Sequence, residues 1–217
     1  MQRTDKRAFI REVERRLKQR YRKEMKTSLE FTNPFELLVS TILSAQTTDR
    51  QVNIVTKGLF REYGTAESMA HANATRVRSY IKSIGLYRSK AKNIVAAAKY
   101  LVGHYDGKVP RSIEELIKIP GVGRKTANVV LSNAYGINEG IAIDTHCITV
   151  SNRLGLARSK DPKRIEEGLM KYVDAKEWNN ISHLFIALGR DVCTARAKHC
   201  ERCVLNDICP SSTVVKK

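Results

Sequence analysis

No stretch of 18 or more apolar residues occurs in this 217-residue chain, so nothing in it reads as a bilayer-spanning helix. The first 26 residues lack the apolar segment of a secretory signal. Low-complexity tracts, internal repeats and a Pro/Gly-rich linker are also missing, so composition marks no domain boundary. Strand-like alternation of apolar and polar residues is almost absent, which argues against a sheet protein. Negative charge is in short supply: 22 Asp plus Glu stand against 39 Lys plus Arg, a formal net charge of +17. Such an excess costs self-repulsion on folding and favours a polyanionic partner, a nucleic acid or an anionic membrane surface. These features describe a cytoplasmic, nucleoid-associated protein with no membrane segment. Nothing suggests a symmetric apolar interface, so a monomer is expected.

What is present is helical punctuation. Hydrophobic residues make up 42% of the chain, enough for one large domain or two small ones. Asn33-Pro34 with Glu36 supplies an N-cap, a proline at the first helical position and an early acid, and Phe35, Leu38, Val39 and Ile42 follow on one face. Ser112 with Glu115 has the form of a capping box. Asp161-Pro162 opens a helix carrying Ile165, Leu169 and Val173 inward, and Ile181, Leu184, Phe185 and Leu188 mark another that Gly189 is expected to close. The fold class is all-α. Eleven Lys/Arg against four Asp/Glu in the first 26 residues predict a solvated helix with a charged outer face.

The first 146 residues contain no cysteine, and four of the five crowd into Cys193, Cys200, Cys203 and Cys209. A disulfide framework would be spread along a small secreted chain. Clustered thiols in a reducing compartment point instead to a metal site. The C-x6-C-x2-C-x5-C spacing has one close pair, whereas zinc ribbons usually show two, and this favours a [4Fe–4S] cluster over tetrahedral zinc. Arg196, Lys198 and His199 stud the first loop, where they would meet phosphates or merely face solvent. Cys147 stands apart among apolar neighbours and reads as a buried structural thiol.

The central motif is Leu116-Ile117-Lys118-Ile119-Pro120-Gly121-Val122-Gly123-Arg124-Lys125-Thr126-Ala127. A short helix ends near Lys118 and a second begins near Arg124. Gly121 and Gly123 permit positive φ and close approach of a ligand to the backbone. N–H groups of the turn, with those opening the next helix, form an anion site reinforced by the helix dipole. A lone G-x-G would be an ordinary turn; the whole string fits a helix-hairpin-helix whose anion is a DNA phosphate, a contact that positions without reading sequence.

Lys125 lies in the first turn of that second helix, where a cation opposes the dipole. Phosphate contact would explain it, and so would nucleophilic chemistry requiring a neutral amine. An ordinary lysine is neutral in only about one molecule in a few thousand at pH 7, a handicap of about 4 kcal/mol. The dipole supplies about 1–2 kcal/mol at most. Desolvation, nearby cations or a proton-accepting carboxylate must provide the rest. Asp144, in Ile141-Ala142-Ile143-Asp144-Thr145-His146, is one such carboxylate; it is equally an N-cap, and both roles can coexist. His146 reads as a local hydrogen-bonding residue.

On these residues, together with Ser44-Ala45-Gln46-Thr47-Thr48-Asp49 and Ile84-Gly85-Leu86-Tyr87, the chain resembles the endonuclease III family of helix-hairpin-helix DNA glycosylases from about Phe31 to Cys209. The resemblance implies a six-helix domain over residues 27–138. It implies a second domain, built from residues 1–26 and 139–217, that carries the iron–sulfur cluster, with duplex DNA bound across the cleft. It further implies a bifunctional glycosylase and AP lyase that acts on a damaged base or abasic site after flipping the nucleotide out. Lys125 would attack C1′, and a Schiff base would permit β-elimination, with Asp144 assisting. Gln46 would fill the vacated space and Leu86 would wedge into the opposite strand. His146, Arg196, Lys198 and residues Gly121, Val122, Gly123 and Arg124 of the hairpin would contact DNA. Without the resemblance, Leu86 reads as a loop or core residue and Gln46 as helix surface. Thr41 stands where related adenine glycosylases place a catalytic glutamate, and the thymine-mismatch branch lacks the lysine, so oxidised pyrimidines are the favoured substrates. Two alternatives remain: a non-catalytic hairpin module that only binds DNA, and a monofunctional glycosylase in which Lys125 merely contacts phosphate.

Overall fold

The computed structural model describes residues 3–214; residues 1–2 and 215–217 of the expected terminal domain lie outside them. Among the described residues helices are the only regular elements apart from one isolated bridge, Cys193 to Lys198. Two compact units emerge, Ser28–Glu139 forming one and the flanking segments the other. The junctions fall one residue beyond 26/27 and 138/139.

Helix α1 (Arg3–Arg20) belongs to the terminal unit. It is more than the solvated helix its charge suggests. Ile10, Val13 and Leu17, spaced three and four apart, form a stripe that is fully buried in the terminal core with Tyr21 just beyond. Each such side chain contributes about 1.5–3 kcal/mol by burial. The charges occupy the other face, where Arg15 and Arg16 pair with Glu12.

The middle unit holds α2 (Pro34–Leu43), α3 (Asp49–Tyr63), α4 (Ala66–Ala70), α5 (Ala74–Ile81), α6 (Tyr87–Tyr105), α7 (Ile113–Leu116) and α8 (Arg124–Tyr135). These are seven helical segments where the resemblance implies six. The five-residue α4 rests on a Thr65–Ser68 capping box, too short a signal to stand out as a helix in the sequence. At the start of α2, Asn33 accepts the Glu36 N–H at 2.9 Å, while the Glu36 carboxylate accepts from the Thr32 N–H at 2.6 Å. The expected one-sided burial is exceeded: every residue from Phe35 to Leu43 is buried. Helix α2 is therefore the central element of this unit, with α8 packed against it and α4 and α5 against α6.

In the terminal unit α9 (Thr145–Arg153), α10 (Pro162–Met170) and α11 (Trp178–Asp191) complete the set, and α1 and α9 both pack on α11. Gly189 does not close α11, which continues to Asp191. A Cβ at Gly189 would stand 2.8 Å from the His146 Cβ. The glycine is there to let α9 and α11 touch, a packing requirement rather than a cap. No helix of the described residues is long and apolar enough to cross a membrane.

Candidate functional site

Ser112 caps α7, its hydroxyl accepting the Glu115 N–H at 3.3 Å. The turn that follows is held by Ile119 N–H to Leu116 O and Val122 N–H to Ile119 O, both 3.1 Å. Ile119 and Val122 are buried. Val122 is thus an anchor of the hairpin, with its N–H committed inside the turn and not offered to an anion. Only one of the two glycines uses positive φ. Gly121 has φ 81°, and a Cβ there would approach Asn93 Cβ of α6 to 3.1 Å. Gly123 is an extended residue, φ −97°, with no protein atom within 4 Å of where a Cβ would be. What its missing side chain provides is open space on the outer face of the turn. No side chain caps α8, so the positive end of its dipole is suited to an anion. Arg124 and Lys125 are exposed at that end.

Gln46 and Leu86 carry a second signal, in their backbones. Among the described residues only Gln46, Leu86 and Asp106 are non-glycine residues with positive φ; for the first two it is 55° and 59°. Left-handed backbone at such residues costs about 1–2 kcal/mol. Strain of this kind persists only where the surrounding structure over-determines it, and it clusters at functional sites. Leu86 is also 60% exposed, the most exposed large apolar side chain of the described residues. It belongs to no core, and Gln46 lies past the end of α2 rather than on a helix surface. The two turns adjoin: a Cβ at Gly85 would lie 3.9 Å from the Gln46 carbonyl oxygen. Gln51 Nε2 donates to Ser83 Oγ across them at 2.9 Å.

In the terminal unit Asp144 is the N-cap of α9, and its Oδ1 accepts the Cys147 N–H at 2.8 Å. The segment leading into it is fixed, since Ile141 N–H donates to the buried Glu166 carboxylate at 3.2 Å and Ser182 Oγ donates to Ala142 O at 2.6 Å. Half-buried and held at both ends, the Asp144 carboxylate has a defined direction. His146, the second residue of α9, lies against Gly189. Cys147 is fully buried, and burial first, the Asp144 charge second, pushes its thiol up to about 12, which leaves it unreactive.

Cys193, Cys200, Cys203 and Cys209 line one small pocket, walled by apolar residues such as Val150, Leu188 and Leu205. Among the described residues no three metal-binding side chains converge as they would around a single ion. Four thiols around one pocket are a donor set for either a tetrahedral metal ion or an iron–sulfur cluster. Burial raises the Cys203 and Cys209 thiols above their ordinary value, so their thiolate forms come with a bound metal. Arg153 was not singled out in the sequence. Its guanidinium donates to Cys193 Sγ at 3.3 Å, Thr194 O at 2.7 Å and Ala195 O at 3.2 Å. It thereby holds the loop that carries Arg196, which is exposed. Lys198 Nζ donates to Ser211 O at 2.9 Å, tying the loop to the chain's far end. Only a periodic basic residue at the close of a helix was visible in the sequence; its reach across 40 residues was not.

Residues 39–175 match the HhH-GPD superfamily base excision DNA repair protein family. The chain is 48% identical to the endonuclease III of Synechocystis sp. over 185 residues, 85% of this chain and 84% of that one. It superposes on the structure of a trapped endonuclease III–DNA covalent intermediate, an estranged-adenine complex, with a TM-score of 0.88 and 40% identity, covering 97% of each chain. A non-covalent endonuclease III–DNA complex matches with a TM-score of 0.87 and 40% identity, covering 97% of this chain and 96% of the other.

Proposed function

The chain belongs to the endonuclease III family of helix-hairpin-helix base excision repair proteins, and from that premise we propose that Lys125 is its nucleophile, acting on duplex DNA at oxidised pyrimidines and abasic sites. The protein is a bifunctional DNA glycosylase and AP lyase. Its extruded nucleotide presents C1′ to the amine. Nζ forms a bond to C1′ as the N-glycosidic bond breaks, and the base leaves with the bonding pair and a proton. Opening of the sugar gives a Schiff base. Loss of a C2′ proton then expels the 3′ phosphate. Asp144 supplies the carboxylate that takes or steadies charge in these steps. The observation that carries the reading is an uncapped helix end offering backbone N–H groups, a bare glycine and an exposed lysine together. The trapped covalent DNA intermediate of a relative supports it.

Gly121, Gly123 and Arg124 grip the phosphates, with His146, Arg196 and Lys198 as further contacts; Gln46 and Leu86 enter the duplex. The four cysteines would hold a [4Fe–4S] cluster, which when bound would cross-link residues 193–209 into a rigid basic loop. The domain division assigns the hairpin to residues 27–138 and the cluster to residues 1–26 with 139–217. Borohydride added during reaction with a thymine-glycol or abasic duplex tests the assignment. A covalent adduct is expected, and it should vanish in Lys125→Gln. Base release without an adduct would make Lys125 a phosphate contact, and no reaction at all would leave only a binding module.

A further inference from the structure

Among the described residues Lys90 is the only lysine or arginine that is buried, 4% exposed. Burying a cation is costly unless it is paired or well hydrogen-bonded. Lys90 has no carboxylate partner; burial alone acts on its amine and lowers its pKa from the ordinary lysine value. Its side-chain hydrogen bond is to Thr47 Oγ1, to which Nζ donates at 2.8 Å. Thr47 follows Gln46. The backbone N–H of Lys90 donates to Leu86 O at 3.0 Å. That main-chain bond is the first helical bond of α6, so the Lys90 side chain ties the turn at Gln46 to the helix turn that starts at Leu86. Farther along the same helix Asn93 lies close against Gly121 of the hairpin. Helix α6 is in this sense a beam, and Lys90 is the bracket on it that the fold would be cheaper without.

The geometry points to Lys90 as a positioning residue that locks the Gln46 and Leu86 turns in register, so that base extrusion depends on an amine that touches no reacting atom. This rests on the reading that Gln46 and Leu86 enter the duplex. A merely structural lysine would lower stability and all activities together when replaced. Here the two move apart, because exchanging an unpaired buried charge for a hydrophobe of similar length is neutral or stabilising.

The test uses the intact protein with Lys90→Met, Thr47→Val and the double variant. Excision of thymine glycol from a duplex is followed under single-turnover conditions, with 2-aminopurine beside the lesion to report unstacking. Borohydride trapping on a single-stranded abasic oligonucleotide, which needs no extrusion, is the control. For Lys90→Met the melting temperature should hold or rise, while duplex excision and the fluorescence rise both slow roughly tenfold, the scale of one charge-assisted hydrogen bond. Single-strand trapping should stay within about twofold, and the double variant should be no worse than either single one, as expected of partners in one contact. Equal loss on both substrates, unchanged duplex excision, or multiplicative loss in the double variant would each overturn the proposal. Should Lys90→Met fail to fold, Thr47→Val carries the same comparison. Leu86→Ala and Gln46→Ala tell the two levels apart: if extrusion is normal in both, the wedge reading itself is wrong, whatever Lys90 does.

Discussion

Replacing Asp144 by asparagine or alanine separates two jobs that one carboxylate performs. As N-cap of α9 it accepts the Cys147 N–H at 2.8 Å, and asparagine can accept the same bond. N-cap deletion by alanine costs about 1 kcal/mol, whereas Asn and Asp are nearly equivalent caps. For a chain of this size each kcal/mol corresponds to about 2–4 °C in melting temperature. Asp144→Ala should therefore melt about 2–4 °C lower, and Asp144→Asn within about 1 °C of the parent. The chemistry divides differently. Asparagine cannot take a proton or offset developing positive charge, and a positioned acid–base group is worth about 10²–10⁴ in rate. Both variants should cleave an abasic duplex at least about a hundredfold more slowly. Melting by circular dichroism and strand scission at saturating enzyme measure the two quantities on the same preparation. If Asp144→Asn retains full scission, the carboxylate is a cap and nothing more, and the assignment of Asp144 to the reaction is wrong.

The two hairpin glycines should respond differently. Gly121→Ala, at φ 81° and 3.1 Å from Asn93, should destabilise by about 1–2 kcal/mol, seen as a lower urea midpoint. Gly123→Ala, at the N-cap of α8, should lower stability by less than about 1 kcal/mol, yet clearly weaken DNA binding in a titration at fixed salt. Arg153→Ala removes three donors to the first cysteine loop, so visible iron–sulfur absorbance should bleach faster under chelator, with the rate constant as readout. Glu62 supplies a pH test: hydrogen bonds from Arg76 first and Tyr80 second hold its carboxyl down at about 2 against the ordinary 4.5. A depressed folded value means the contribution is complete above pH 4.5 and lost as pH falls towards 2. Glu62→Gln should flatten the urea midpoint's dependence across that window; an unchanged slope would show the contact to be without weight.

Sequence by itself determined the helical class, the four main cap signals at Asn33, Ser112, Asp144 and Asp161, the hairpin and the cysteine quartet. Caps and turns are read within a few residues of themselves, so their chemistry is written locally. The family likeness of residues 44–49 and 84–87 named Gln46 and Leu86, but their residue types gave no sign of what the backbone does there. Gly189 looked like a helix stop because only α9, packed from elsewhere in the chain, shows why a side chain cannot fit. Likewise the distinction between Gly121 and Gly123, the inward turn of Val122, and the burial of α2 on all sides depend on neighbours that arrive through folding. Arg153 and Lys90 make the point most sharply. Each looks like one more cation in a chain that has 39, and each acquires its meaning from a partner about 40 residues away. Burial and long-range hydrogen bonding are properties of the packed chain, and no local pattern of charge encodes which lysine will be taken out of water.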